Sequence, residues 1–216
     1  MTLDFVSILR TLLAGAVTAA QVAGGAAAIA LVGGLLLALM IVFIRSRVLR
    51  VAIGAYVEWM RNVPALAHLF LLYFGLAAVG IRFSPLAAAI LGLGLVGAAV
   101  LSDVFAGGLR AVHAGQREAA LAAGLTPMQT LRYVLLPQML RLTLPSIGNY
   151  TSQLIKDTSI ASAIAAPEIM FYARNLVTST FQTPLIYGAA ILLYACIVFP
   201  VSWMFAMMSR RLEVGR

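Results

Sequence analysis

Four long stretches of the 216-residue chain carry no charged side chain, and they constrain the fold more than any other feature of the sequence. They cover residues 11–44, 62–81, 83–102 and 175–209, which are 34, 20, 20 and 35 residues long. About 20 apolar residues in a helix cross the hydrocarbon core of a bilayer. The two shorter stretches therefore match single spans. Each longer stretch must also contain a tilted or interfacial portion, or a loop.

Composition agrees with a membrane protein and excludes several other classes. Hydrophobic residues make up 62% of the chain and charged residues only 10%. A soluble domain carries about 25% charged residues, because its surface must remain hydrated. A soluble enzyme, a nucleic-acid-binding module and a disordered chain are therefore excluded. The sequence predicts an integral, multi-pass membrane protein.

The basic residues predict the topology. Lys156 is the only lysine among the 15 basic residues, and the arginines cluster between apolar stretches, as the positive-inside bias requires. A further span over residues 139–165, the fourth of five in chain order, is less apolar, but a consistent topology needs it. One side of the membrane then holds 11 of the 14 arginines, and the other holds only Arg10, Arg82 and Arg174. We expect the N-terminus outside and the C-terminus in the cytoplasm.

The predicted fold is therefore all-α, with one transmembrane domain over residues 1–216. A cleaved signal peptide is the competing interpretation of the N-terminus, but the first stretch is much longer than the apolar core of such a peptide, about 7–15 residues. Thr183-Pro184 marks the start of the last spanning helix. The predicted spans cover residues 15–44, 63–81, 84–109, 139–165 and 184–208, with a cytoplasmic loop over residues 110–138.

That cytoplasmic loop is predicted to contain helices of its own. Residues 118–123 are strong helix formers, and Gly124 supplies a C-terminal stop. Thr126 and Gln129 have the spacing of a capping box, which predicts a second helix that we expect Pro137 to end. The loop is thus predicted to be a helix–turn–helix. It is either an ordinary amphipathic connector or a docking surface for a cytoplasmic partner.

Other patterns that suggest chemistry have simpler interpretations. Residues 92–97 match G-x-G-x-x-G but lie in an apolar stretch with no preceding strand, so we predict close helix packing, as for the glycine pairs at 24–25 and 33–34. His68 and His113 are isolated, so no metal site is predicted. The glycines of a phosphate-binding loop do not surround Lys156. Any ATP hydrolysis must therefore come from another chain.

The cytoplasmic loop resembles the EAA loop in permease subunits of bacterial ABC importers. That pattern reads E-A-A, three residues, glycine, nine residues and I-x-L-P, and this chain departs from it only at Val134, which replaces isoleucine. The resemblance implies the transmembrane domain of a type I ABC importer. It also implies that the ATPase-coupling residues are Glu118, Ala119, Ala120, Gly124 and Pro137.

Further motifs, spread over nearly the whole chain, are similar to those of one branch of these permeases, the polar amino-acid (histidine, glutamate, glutamine, arginine and opine) type. They are Gly15 with Thr18, Tyr56-Val57-Glu58 with Arg61 and Pro64, Gly115-Gln116 before Glu118, Leu144-Pro145 with Gly148-Asn149, Lys156-Asp157-Thr158-Ser159, and Pro167-Glu168.

The resemblance implies a set of partners and a location. It implies a multi-pass permease of the bacterial inner membrane that pairs with a second permease subunit, either the same chain or a paralogue. Two cytoplasmic ATP-binding subunits and an extracytoplasmic amino-acid-binding protein complete the assembly, and nucleic acid is not a partner. It further implies that this chain binds no cofactor and is not itself an enzyme, because ATP and Mg belong to the ATPase subunits.

Polar side chains in the fourth predicted span are the candidate substrate pathway. Asn149, Gln153 and either Lys156 or Asp157 follow at i, i+4 and i+7 or i+8, so they share one helical face. Ionisable groups within a membrane mark a solute pathway or a contact between helices, and both interpretations remain open. The candidate pathway residues are Asp103, Asn149, Gln153, Lys156, Asp157, Thr158 and Ser159.

Two pairings of charged side chains are also predicted. Asp103 in the third span is expected to face the polar side of the fourth span. Glu58 and Arg61 are separated by three positions, so we predict an ion pair between them at the membrane interface.

Two alternative functions remain at this stage. A permease of the same class for another small solute, such as methionine, would carry the same cytoplasmic loop. An ATP-independent secondary carrier of amino acids would also fit the length and hydrophobicity. It would need ion-coupling carboxylates within the spans, for which only Asp103 and Asp157 are candidates, and it would leave the loop unexplained.

Overall fold

The computed structural model describes residues 4–213, and every regular element in that range is helical. We number eight main helices in chain order. Helix α3 contains a π-turn (Leu71–Gly75), α6 contains another, and a short 3₁₀ segment follows α6. The elements are α1 (Phe5–Phe43), α2 (Arg47–Asn62), α3 (Ala65–Ala78), α4 (Pro85–Ala111), α5 (Ala114–Ala122), α6 (Pro127–Thr130, π-turn Leu131–Leu135, then Leu136–Asp157), the 3₁₀ segment (Thr158–Ile164), α7 (Ile169–Thr180) and α8 (Thr183–Glu213).

The packing of α1 against α4 forms the centre of the fold. The buried residues of α1 recur every three or four positions, which places them on one helical face toward the core. Small residues bring the two backbones close: a Cβ on Gly94 would lie 2.8 Å from Ile29, and one on Gly34 would lie 2.8 Å from Leu101. The G-x-G-x-x-G stretch is therefore a helix-packing surface, as predicted. Gly24 is different, because a Cβ there would meet nothing within 4 Å.

Helices α2 and α3 replace the single span predicted over residues 63–81. Helix α3 has 14 residues, about 21 Å at 1.5 Å per residue, which is too short to cross the bilayer core alone. It meets α2 at an angle of 104°. The bend follows from Pro64, which has no N–H to continue α2 and begins α3 as its N-cap residue. The amphipathic helix α2 was missed because its three arginines, with Arg45 just before it, suggested only a connecting loop.

Pro137 does not end a helix, so that prediction was wrong. The chain continues as a helix from Pro127 through the π-turn into Leu136–Asp157. In the π-turn the Leu136 N–H bonds to the Leu131 carbonyl five residues back. This wider turn accommodates the proline ring and its missing N–H, which would otherwise disrupt the α-helical hydrogen bonds. The second half of the loop and the fourth span are therefore one helix.

The fourth span also ends earlier than predicted. Helix α6 stops at Asp157 rather than near residue 165, and a 3₁₀ segment continues to Ile164. Ala165 then adopts a left-handed conformation with φ of 61° and turns the chain toward α7. The run Thr158-Ser159 favours this ending, because their hydroxyls can bond to the backbone of the preceding turn. The Thr158 hydroxyl does so, donating to the Ile155 carbonyl at 2.7 Å.

The other predicted spans correspond to long helices. Helix α4 covers the predicted span 84–109, and α8 starts at Thr183 as expected. Helix α1 starts ten residues before the predicted position 15, and its 39 residues form one helix with no intervening loop. Between residues 4 and 213, α1, α4 and α8 are long and apolar enough to cross a membrane, and α2 with α3 could form a fourth, broken span. The count of five remains a prediction, because α6 is too polar to qualify by composition.

Candidate coupling site

Helix α5 and the turn that follows it form a compact element whose ends are both capped. Helix α5 begins at Ala114, and the N-cap His113 accepts a hydrogen bond from the Gly115 N–H at 3.2 Å. After the helix, the Leu125 N–H donates to the Ala120 carbonyl at 3.1 Å, and Gly124 has φ of 85°. A glycine adopts this left-handed conformation without steric cost, so the predicted C-terminal stop at Gly124 is confirmed.

The predicted capping box begins the next helix. The Gln129 N–H donates to the Thr126 hydroxyl oxygen at 3.3 Å, and the Thr126 N–H donates to the Gln129 side-chain oxygen at 2.8 Å. These two reciprocal bonds satisfy amides that a helix N-terminus otherwise leaves unpaired. The helix–turn–helix is therefore closely specified by local sequence. We call residues 113–138 the coupling segment.

The coupling segment is fixed to the membrane helices behind it. The Gln138 amide donates to the Gln116 side-chain oxygen at 3.2 Å, which ties α5 to α6. Ala120 is only 7% exposed, so its side of α5 faces the protein. Val112, directly before the segment, and Leu135, near its end, join one apolar cluster with residues of α1, α4 and α6. Helix α5 is therefore held against α6, and residues on either side of α5 anchor the segment to the other membrane helices.

The outer surface of α5 is free to contact another molecule. Glu118 and Ala119 are exposed, next to the buried Ala120. The Glu118 side chain makes no hydrogen bond or ion pair with any residue in the range 4–213. Glu118 lies beyond the first turn of α5, so its exposed carboxylate is not held by the helix dipole and can pair with a cation on a partner. The five predicted coupling residues are thus divided: Glu118 and Ala119 face outward, whereas Ala120, Gly124 and Pro137 shape the element.

The last turns of α6 carry the polar residues of the predicted pathway. The Gln153 amide donates to the Asp157 carboxylate at 2.8 Å, so these two share a face. Lys156 and Ser159 line a separate cavity of 410 Å³ between the end of α6 and helices α7 and α8. Thr158 is fully buried. Asn149, Gln153 and Lys156 are all exposed on α6, so the predicted polar stripe occupies one helical face, and Thr158 and Ser159 follow it in the 3₁₀ segment.

Asp103 pairs with a residue of α2 rather than with the polar stripe of α6. Its carboxylate forms an ion pair with Arg61 at the end of α2, and both side chains are about half exposed. Asn62, not Arg61, bonds to Glu58, through its amide at 2.8 Å, so the predicted Glu58–Arg61 pair was wrong. The reason is the bend at Pro64, which brings the end of α2 against α4 and offers Arg61 a carboxylate from another helix.

Asn149 begins the polar stripe of α6 one turn before Gln153. With Ser152 and Ser202 it lines a small cavity of 230 Å³ between α6 and α8. The Ser152 and Ser202 hydroxyl oxygens are 2.7 Å apart, so they share a hydrogen bond that links the two helices. This part of α6 contributes to helix packing as well as to the polar surface.

Sequence reasoning assigned no role to Glu168, the most buried charged residue of the site region. Its carboxylate is 0% exposed and accepts bonds from the Met170 and Phe171 N–H groups, at 2.9 and 2.8 Å, and from the Tyr194 hydroxyl at 2.6 Å. It therefore caps α7 and ties it to α8. Gly15 of α1 packs on the Glu168 backbone, where a Cβ would lie 2.6 Å away. An acidic residue directly before an apolar helix was the available signal.

Comparison with known proteins identifies the class to which this arrangement belongs. This all-helical bundle has the fold of type I ABC importer permease domains. The family model described as "Binding-protein-dependent transport system inner membrane component" matches residues 30–214. The chain belongs to this family of multi-pass membrane permeases.

Several relatives are similar over most of their length. The probable glutamine ABC transporter permease protein GlnP of Bacillus subtilis (strain 168) is 36% identical over 77% of this chain and 76% of its own. The glutamine transport system permease protein GlnP of Escherichia coli (strain K12) is 30% identical over 85% and 86%. The probable amino-acid ABC transporter permease protein YckA of Bacillus subtilis (strain 168) is 38% identical over 64% of this chain, which spans 62% of that relative.

Solved structures support the same fold. The crystal structure of an amino acid ABC transporter with histidines contains a chain that superposes with a TM-score of 0.87. The match covers 98% of this chain and 100% of that one, at 27% identity. A chain of the inward-facing MetNI methionine ABC transporter gives a TM-score of 0.80 at 21% identity, covering 94% of this chain and 96% of that one, which supports the fold alone.

Proposed function

We propose that this chain is the permease subunit of an ATP-driven ABC importer for polar amino acids. Two copies, or this chain and a paralogue, form the translocation path. Two cytoplasmic ATPase subunits bind ATP and Mg and dock on the coupling segments, and an extracytoplasmic binding protein delivers the solute. The chain itself binds no cofactor and catalyses no reaction. Its N-terminus lies outside the cell and its C-terminus in the cytoplasm.

The observation that carries this proposal is the construction of the coupling segment. A capped helix presents an unpaired carboxylate, Glu118, on its outer surface, and its inner surface is braced by Ala120 and the Gln116–Gln138 bond. A rigid element of this kind transmits a push better than a flexible loop. Membership in the family of binding-protein-dependent transport components, with relatives named as ABC transporter permeases, supports the same function.

Amino acids are the proposed solutes on two grounds. The relatives with high coverage are named for glutamine or amino-acid transport. An amino acid carries an ammonium and a carboxylate, and the end of α6 places Lys156 and Asp157 side by side with opposite charge. The Gln153 amide holds the Asp157 carboxylate, and Lys156 makes no ion pair with another residue in the range 4–213. These groups could each attract one charge of the solute.

We extend the proposed pathway to the remaining polar candidates. Asn149 and Gln153 are exposed on the bundle surface, and Thr158 and Ser159 continue the polar end of α6. Asp103 would act farther along the path, with its counter-ion Arg61. Its distance from Asp157 follows from two contacts between α4 and α6: Gly97 lies against Tyr150, and Gly108 lies against Thr143. These contacts show that α4 and α6 run antiparallel, which places Asp103 more than two helical turns from Asp157.

The test is solute uptake into proteoliposomes that contain the purified chain, the ATPase subunits and the binding protein. We expect uptake of labelled glutamine that requires hydrolysable ATP and is lost when the ATPase subunits are omitted. Unlabelled glutamine should compete more strongly than methionine. Uptake by the chain alone without ATP would establish a secondary carrier instead, and stronger competition by methionine would reassign the solute.

A further inference from the structure

An apolar groove of 580 Å³ lies between the last turns of α1 and the coupling segment. Leu36, Met40 and Phe43 form one wall, and Leu121, Met128 and Leu135 form the other. Leu36, Met40, Phe43, Leu121 and Met128 are each more than a third exposed. The groove is therefore an open apolar surface at the end of the membrane helices, distinct from the polar end of α6.

Two polar groups are found in this otherwise apolar groove. Arg117 lines it from α5 and makes no ion pair with any residue between 4 and 213. Thr130 also lines it and is 2% exposed, yet its hydroxyl has no hydrogen-bond partner within the same range. A buried hydroxyl without a partner costs free energy unless a ligand or water supplies one. The groove thus offers a cation and a hydroxyl beside a long apolar surface.

The charge around the groove is positive. Arg47 and Arg50 line a second surface cavity at the start of α2, three and six residues after Ile44, which lines the groove. The residues that line the groove include no aspartate or glutamate. The nearest acid in sequence is Glu118, which follows Arg117 but does not line the groove. Basic sites between membrane helices on the cytoplasmic side attract the phosphates of anionic lipids.

We propose that this groove binds an anionic phospholipid of the leaflet next to the coupling segment. One acyl chain lies along the leucine and methionine walls. Arg117 binds the phosphate, and the Thr130 hydroxyl donates to an oxygen of the lipid head or ester region. The lipid therefore bridges α1 and the coupling segment. The apolar walls favour a lipid over a soluble anion, and the unpaired arginine favours an anionic head over a zwitterionic one.

Native mass spectrometry of the chain assembled with its ATPase subunits tests this proposal. The assembly is incubated with equal amounts of phosphatidylglycerol and phosphatidylcholine, and the ratio of retained lipids is measured. One basic residue near the head group gives about a fivefold preference. We expect that preference in the unmodified protein and a ratio near one in Arg117→Gln.

Two further variants make the result specific to the groove. Arg132→Gln removes an exposed arginine of the same segment that stacks 5.7 Å from the Tyr133 ring and does not line the groove, so it should keep the preference. Leu36→Trp fills the groove and should lower retention of both lipids. An equal ratio in the unmodified protein, or the same ratio in Arg117→Gln, would overturn the proposal. A preference in the free chain that is lost on assembly would also overturn it, because the ATPase subunit would then cover the groove.

Discussion

The coupling segment and the bundle of membrane helices are specified in different ways. In the coupling segment, each turn and helix end depends on residues at most five positions apart, such as the Thr126–Gln129 capping box and the Leu125–Ala120 bond. Among the membrane helices, side-chain positions depend on distant elements. Arg61 pairs with Asp103 across 42 positions, and Tyr194 bonds to Glu168 across 26.

This difference matches the two tasks proposed for the molecule. A coupling element must keep its shape while a partner pushes on it, and local capping makes that shape independent of the rest of the bundle. A solute pathway must change shape as the bundle opens and closes. Contacts between separate helices can be exchanged in such a change, whereas bonds within one turn cannot.

The largest expected effect concerns the long-range contacts. Glu168→Ala removes the acceptor for two amides and the Tyr194 hydroxyl, each of which is left buried. The expected loss of stability is on the order of 3 kcal/mol, measured by unfolding the purified chain in detergent. Glu58→Ala is the control, because that exposed carboxylate bonds only to Asn62 on its own helix. Equal losses in both variants would contradict the role assigned to Glu168.

Helix packing between α4 and α6 should show a slightly smaller effect. A Cβ on Gly108 would overlap the methyl of Thr143, whereas one on the adjacent Gly107 would meet nothing within 4 Å. Gly108→Ala should therefore lower stability by about 1–3 kcal/mol. Gly107→Ala should leave it unchanged or raise it, because alanine favours a helix. The melting temperatures of the two variants test the packing of α4 on α6, and a destabilised Gly107→Ala would be inconsistent with this packing.

Replacing Gly124, the left-handed residue after α5, should disturb the local contacts of the coupling segment. Gly124→Ala forces a side chain into a left-handed conformation at a cost of about 1–2 kcal/mol. Gly54→Ala in α2 is the matched control, since that helical glycine has open space around it. We expect Gly124→Ala to reduce the uptake rate markedly and to lower the melting temperature of the bundle only slightly. A parallel fall in both would show that the segment is not an independent unit.

The smallest effect is expected for the ion pair between α2 and α4. Both side chains are about half exposed, so the coupling free energy between Arg61 and Asp103 should be only about 0.5 kcal/mol. A double-mutant cycle with Arg61→Gln and Asp103→Asn measures it through the stability of each variant. A coupling free energy above about 2 kcal/mol would mean that the pair is shielded from water in the assembled protein.

The sequence predicted the local features well. Uncharged stretches located α1, α4 and α8, and residue spacing located Gly124 and the capping box, because each of these features depends on neighbouring residues. The bend at Pro64 and the continuous helix through Pro137 were not predicted. A proline interrupts hydrogen bonding in both places, but only packing decides whether the helix bends by 104° or widens into a π-turn.

The candidate site was predicted less completely. Glu118 and Gly124 could be identified because the coupling segment follows a local pattern. The partner of Arg61 could not, since i, i+3 spacing favoured Glu58 and only the folded bundle brings Asp103 nearby. Glu168 received no role because its significance depends on Tyr194 and Gly15, which are far away in sequence.

The most direct test of the account measures solute uptake and ATP hydrolysis together in proteoliposomes that contain the assembled transporter. Glu118→Lys reverses the charge on the outer surface of α5, and Asp4→Lys makes the same change at an exposed position outside the coupling segment. The account predicts that Glu118→Lys lowers uptake at least about tenfold, as expected for a disrupted interfacial charge, while Asp4→Lys transports normally. Normal uptake by Glu118→Lys, with an unchanged ratio of solute to hydrolysed ATP, would contradict the role of the coupling segment.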